Sequence, residues 1–113
     1  MSNLNWKVKV IICISAQDGV LHQSELNTAF ELINEQLGNV SQQKFDELIE
    51  EFFNEDYVLE EYLLKINNSD DFQTILKISY KSATSDGLDI RENLAFDKAC
   101  KHWGETLEDY IEE

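Results

Sequence analysis

Apolar residues recur along the chain at three- and four-residue spacing with polar positions between them, a period that predicts helices almost throughout. Residues 5–16 (NWKVKVIICISA) are apolar on nearly every face after Lys9, as expected of a helix buried at the centre of a bundle. The Val and Ile content would also suit a strand, but no hairpin partner accompanies it. After Asp18-Gly19 a second helix is predicted from about residue 23 to 37, with Leu26, Ala29, Phe30, Ile33 and Leu37 on one side and Gly38-Asn39 as its stop. Ser41 is placed to cap a third helix with the stripe Phe45, Leu48, Ile49, Phe52 and Phe53.

A fourth helix is predicted around 56–66, carrying Val58, Leu59, Tyr62, Leu63 and Ile66, before the polar turn Asn67-Asn68-Ser69. A fifth, about 70–84, presents Phe72, Ile75, Leu76, Ser79, Tyr80 and Ala83. Asp86-Gly87 breaks it, a sixth runs to about Trp103 with Gly104 as its stop, and a short acidic seventh ends the chain. The expectation is an all-α, single-domain bundle of about seven helices over residues 1–113.

Composition supports that reading. Hydrophobic residues are 42% of the chain, including six Phe, four Tyr and two Trp, which excludes a disordered tail. Proline is absent and there are four glycines, a shortage of breakers that long helices tolerate and a many-turned sheet would not. Cys13 and Cys100 lie in apolar helical patterns without CxxC spacing and read as small core residues of a reducing compartment. Residues 1–5 lack the features of a signal peptide, and the longest apolar run, 10–14, is far short of a membrane span. A soluble, cytoplasmic protein without membrane insertion is expected. The formal net charge of −14 repels phosphate backbones and argues against direct nucleic-acid binding. It suits divalent cations or a basic protein partner, and also simple solubility.

Aligning the two Asp-Gly pairs exposes an internal repeat. Residues 10–38 (VIICISAQDGVLHQSELNTAFELINEQLG) parallel 75–104 (ILKISYKSATSDGLDIRENLAFDKACKHWG). Each unit has an apolar helix, a small residue (Ala16, Thr84), Asp-Gly, an apolar residue (Val20, Leu88), then Glu, Phe and a closing Gly. Asp18 and Glu25 are seven apart, Asp86 and Glu92 six, so the second loop reads as one residue shorter. That register makes Asp89 the N-cap and Glu92 the third helical residue of a capping box, with His22 and Glu25 as the counterparts. This doubled pattern resembles the tellurite-resistance TerB-like family, whose helical domain is similar to the N-terminal domain of some membrane-anchored J-domain co-chaperones. The likeness spans about residues 6–104, although Gln17 and Ser85 stand where Ala before Asp is favoured.

A pseudo-twofold between the units would bring Asp18, Glu25, Asp86 and Glu92 to one surface, where Ca²⁺, Mg²⁺ or Mn²⁺ would relieve their repulsion. The resemblance likewise implies a metal at these acidic positions and a role in stress responses, exerted through protein contacts. The units are not EF-hands: with Gly19 at loop position 6, positions 1 and 3 fall on Ile14 and Ala16, which offer no oxygen ligand. In the second unit they fall on Ser82 and Thr84, and position 12 is Asn93. Turn and capping chemistry alone also accounts for Asp-Gly followed by Glu, each cap being worth about 1 kcal/mol. His22 is a loop residue that could join Asp18, and His102 is expected to pack at a helix end beside Trp103.

The stretch DELIEEFFNEDYVLEE at 46–61 holds eight acids and no base. It reads either as two amphipathic helices with solvated outer faces, or as a docking face for a basic or membrane-associated protein partner. Glu50, Glu51, Glu55, Asp56, Glu60 and Glu61 would then be its charged contacts, extended by ETLEDYIEE at the C-terminus. Catalysis finds no nucleophile–base pair and no phosphate-cradling loop. The expected function is a non-enzymatic, TerB-like, cation-binding interaction module. The alternative is a metal-free acidic protein, an immunity-type inhibitor or nucleic-acid mimic.

Overall fold

The first helix, α1 (Asn3–Ser15), is covered on all sides: Val8, Lys9, Val10, Ile11, Ile12, Ile14 and Ser15 are all buried. The computed structural model describes residues 3–16, 21–56, 58–67, 70–85, 87 and 89–111. Around α1 stand α2 (Gln23–Gln36), α3 (Gln42–Asn54), α4 (Leu59–Leu63), α5 (Asp70–Ala83) and α6 (Leu94–His102), each of which touches it. Two 3-10 turns, Ile90–Glu92 and Leu107–Tyr110, complete the structure, and no strand occurs among the described residues. The all-helical class is therefore as the apolar period predicts.

The longer helices begin and end where side-chain chemistry places them. Ser41 accepts the Lys44 amide at 3.1 Å and starts α3. At the end of α2 the Leu37 and Gly38 amides both reach the Ile33 carbonyl, at 2.9 and 3.0 Å. A Cβ on Gly38 would lie 3.2 Å from Leu4, so glycine lets the start of α1 close over this turn. Gly104, at φ +72°, ends α6 in a Schellman arrangement, its amide on Lys101 and the Glu105 amide on Cys100 at 2.7 Å.

Three expectations need correction. The fourth helix is much shorter than 56–66: Asp56 and Val58 are outside it, and α4 is a single turn and a half from Leu59. Its chain has already left the helical path at Glu55, which is extended. The Asp89/Glu92 capping box does not form. Asp89 instead accepts the Arg91 amide at 2.9 Å and opens a 3-10 turn, while Asn93 caps α6 by accepting the Phe96 amide at 2.8 Å. The sixth helix thus starts four residues later than expected, and in place of a seventh helix the C-terminal segment makes the second 3-10 turn.

Side-chain hydrogen bonds tie the helix ends together. Ser82 of α5 donates to the Glu25 carbonyl of α2 at 2.9 Å. Its one proton is thereby engaged, so in the 2.9 Å Ser15–Ser82 contact the Ser15 hydroxyl is the donor. The Asn93 side-chain amide donates to the Ile14 carbonyl at 3.0 Å, satisfying an acceptor in the last turn of α1. Asn93 thus has two separable roles. Asn93→Ser retains a cap but is too short for Ile14, and should lower stability by about 1 kcal/mol in urea titrations. Asn93→Ala loses both and should cost about 2–3 kcal/mol; equal losses would remove the link to α1 as a stabilising contact.

Candidate functional site

The acidic stretch 46–61 divides into an inward and an outward set. Inward, the ammonium of Lys9 is fully buried and lies 2.5 Å from Glu55 Oε1 and 3.0 Å from Glu51 Oε1. Tyr62, also buried, donates its hydroxyl to Glu55 Oε2 at 2.7 Å. The Trp6 ring sits 5.3 Å from the Lys9 nitrogen and 5.3 Å from that of Lys65. Burial pulls the Lys9 ammonium down, but the hydrogen bonds and charges of Glu55 and Glu51 outweigh it and hold it above the usual 10.5. Burial likewise pushes Glu55 up, and the bonds from Lys9 and Tyr62 reverse this to leave it below the usual 4.5. Two of the six acids expected to meet a partner, Glu51 and Glu55, therefore hold α3 to α1.

Outward, Glu50, Asp56, Glu60 and Glu61 are exposed. Glu61 accepts the Val58 amide at 3.4 Å, and Glu60 lies 3.8 Å from Lys98, a surface pair of small energetic weight. Large apolar side chains stand among them: Phe53 is 52% exposed, Val58 56% and Leu94 67%. Beside them an open groove of about 340 Å³ is lined by Cys13, Ala16, Phe52, Leu59, Leu94 and Ala95, with Lys98 at its edge.

At the other candidate site, Asp18 and Asp86 lie outside the described residues. Glu25 is the third residue of α2, buried, and accepts the His22 amide at 2.9 Å. Glu92 is exposed in the 3-10 turn before α6, a position that does not correspond to that of Glu25. No group of three or more potential metal-binding side chains occurs among the described residues. The Ser15–Ser82, Ser82–Glu25 and Asn93–Ile14 bonds gather the ends of α1 and α5 with the starts of α2 and α6 at one end of the molecule. His102 ends α6 but is exposed, so the packed role expected for it beside Trp103 does not hold; Phe72 stacks on Trp103 instead, at 4.4 Å and 3°.

Both thiols are held protonated at neutral pH. Burial, with Glu60 nearby, pushes Cys13 to about 11. Burial and three nearby carboxylates, Asp97 first, push Cys100 to about 12. Neither is an activated nucleophile. No helix among the described residues is long and apolar enough to cross a membrane. Comparison with protein-family models, curated proteins and solved structures finds no match to this chain.

Lys9 and Asn93 are the site-shaping residues that sequence reading missed. Lys9 looks like the polar edge of a buried segment, and its partner Glu55 is 46 residues away.

The Lys9 cluster sets a pH window. Glu55 lies lower in the folded than in the unfolded chain, so its contribution is complete above about pH 4.5 and is lost as pH falls through the folded value. Lys9 lies higher when folded, so its contribution holds below about pH 10.5 and is lost as pH rises through the folded value. The stability difference between wild type and Glu55→Gln should accordingly be flat from roughly pH 5 to 10 and shrink below about pH 4. In the same urea titrations Glu51→Gln/Glu55→Gln, which strands a buried ammonium, should cost about 3–5 kcal/mol. Lys9→Met should cost less, because the carboxylates reach water; the reverse order would mean that Lys9 is not sealed from solvent.

Proposed function

We propose that this chain is a non-enzymatic binding module that acts through protein contacts, and that the outward acids of α3, α4 and the link between them are its docking face for a basic protein. The observation that carries this reading is the interleaving of exposed Glu50, Asp56, Glu60 and Glu61 with exposed Phe53 and Val58, beside a groove that exposed Leu94 lines with Phe52 and Leu59. Charge of one sign steers an oppositely charged partner, and apolar side chains provide the desolvated contacts that hold it. The docking set is narrower than the six acids read from the sequence, since Glu51 and Glu55 are engaged by Lys9. The protonated thiols offer no activated nucleophile, which favours binding over catalysis.

A second reading keeps the divalent cation of the TerB-like resemblance, with Asp18, Glu25, Asp86 and Glu92 as donors and a stress-response role in the cytoplasm. What supports it is the reciprocal linkage of the helix ends: the start of α2 bonds to α5, and the residue that caps α6 bonds to α1. Such an exchange is what an internal repeat produces, and it draws together the segments that lead into both Asp-Gly pairs. The departures are Glu25, buried and engaged in capping, and Glu92, which does not take the position corresponding to Glu25.

The docking reading is tested with a Lys-rich synthetic peptide at several salt concentrations. Binding should weaken steeply with salt, and Glu50→Gln/Asp56→Asn/Glu60→Gln/Glu61→Gln should weaken it by about tenfold with little change in stability. A variant that binds as well as wild type sinks the assignment of this face. Calorimetry with Ca²⁺, Mg²⁺, Mn²⁺ and Zn²⁺ tests the cation. Saturable binding that raises the melting temperature should vanish in Asp18→Asn/Asp86→Asn, and no binding at millimolar cation ends that reading.

A further inference from the structure

We infer that the groove between α1, α3, α4 and α6 receives the apolar side chains of an amphipathic helix whose flanks carry Lys or Arg. This inference rests on the docking reading and names the class of partner. Three observations lead to it.

The surface around the groove is helical, and among the described residues there is no strand whose free edge could extend a bound peptide as a new strand. A segment docking there must satisfy its own backbone donors and acceptors, and a helix does so internally. The groove floor is apolar: Phe52, Leu59, Ala16 and Ala95 supply carbon, and Cys13 is a neutral thiol at physiological pH. Leu94, 67% exposed, stands at its edge as the first residue of α6, where capping by Asn93 makes no demand for a large apolar side chain. One exposed Leu is ordinary on any protein. One that lines an apolar groove together with Phe52 and Leu59 is not.

Charge complementarity selects the partner. Among the described residues the one cation lining the groove is Lys98, and it faces Glu60 at 3.8 Å. The next base along α6, Lys101, is paired with Asp97 at 2.9 Å. Glu50 on α3, Asp56 in the link and Glu61 on α4 are exposed beside the Glu60–Lys98 pair, on a chain of net charge −14. An acidic or neutral helix would meet repulsion or nothing, whereas Lys or Arg flanking an apolar stripe meets carboxylates on the α3–α4 side while its stripe enters the groove.

The test uses two synthetic Leu/Lys peptides of identical composition, one with Leu at helical spacing (i, i+3, i+4, i+7) and one with strict Leu/Lys alternation. The helical-period peptide should bind at least about tenfold more tightly, the advantage expected from burying one or two Leu side chains. It should gain helical circular dichroism on binding and slow alkylation of half-buried Cys13, leaving buried Cys100 unreactive throughout. Leu94→Ser, a neutral change at an exposed position, should reduce that affinity by about tenfold without altering urea stability. If both peptides bind equally and Leu94→Ser has no effect, the face works by charge alone: the docking reading survives and this inference is overturned. If neither binds at low salt, the docking reading itself falls. If sedimentation shows a dimer that Leu94→Ser dissociates, the groove is filled by a second copy of the chain, which also overturns the inference.

Discussion

A helix without a solvent face must have its polar groups met by neighbours, and α1 places that demand on every other helix of the fold. Its aliphatic residues from Val8 to Ile14 are met by apolar faces of the surrounding helices. Lys9 is met by Glu51 and Glu55, which brings the last turn of α3 over α1 and sets where α3 stops. At the other end Ser15 and the Ile14 carbonyl are met by Ser82 and Asn93. A buried ammonium left without partners would carry a desolvation penalty of several kcal/mol, so the α1–α3 arrangement is a condition of folding as well as a product of it.

Much of this was readable from the residues because local rules and tertiary packing agree. The apolar run after Lys9, the Ser41 cap, the glycines that stop α2 and α6, and the core stripes of α2, α5 and, except for exposed Phe53, α3 follow from spacing and capping chemistry. Where reading failed, two local signals competed or a distant one decided. Asp89-x-x-Glu92 satisfies the pattern of a capping box, yet Asn93 is also a good cap, and its bond to Ile14 settles the choice in its favour. Val58, Leu59, Tyr62, Leu63 and Ile66 have helical spacing, but Glu55 is drawn to Lys9 and Tyr62, and both Glu55 and Val58 are extended before α4 begins. The acids at 46–61 look alike in sequence; only the fold separates those that face Lys9 from those that face water.

That separation alters the meaning of the protein's charge. Glu51 and Glu55 anchor the scaffold, while neighbours one or a few positions away remain available to a partner. The proposed docking face is thus built on a firm base, because the helix that displays Glu50 and Phe53 is held from beneath by an ammonium sealed from solvent. Rigid display keeps the ordering penalty of association small, which suits a flexible partner that must itself become ordered.

The two tryptophans fall in contrasting surroundings. Trp6 lies against two ammonium groups and Tyr62, reporting on the junction of α1 with α4 and the Lys9 cluster. Trp103 is stacked flat on Phe72, reporting on the junction of α5 with the end of α6. The protein therefore carries two built-in optical sensors, one at the junction of α1 with α4 and one at the junction of α5 with α6. Replacing either indole by phenylalanine would leave a single emitter, so that loosening of one junction could be followed in time independently of the other.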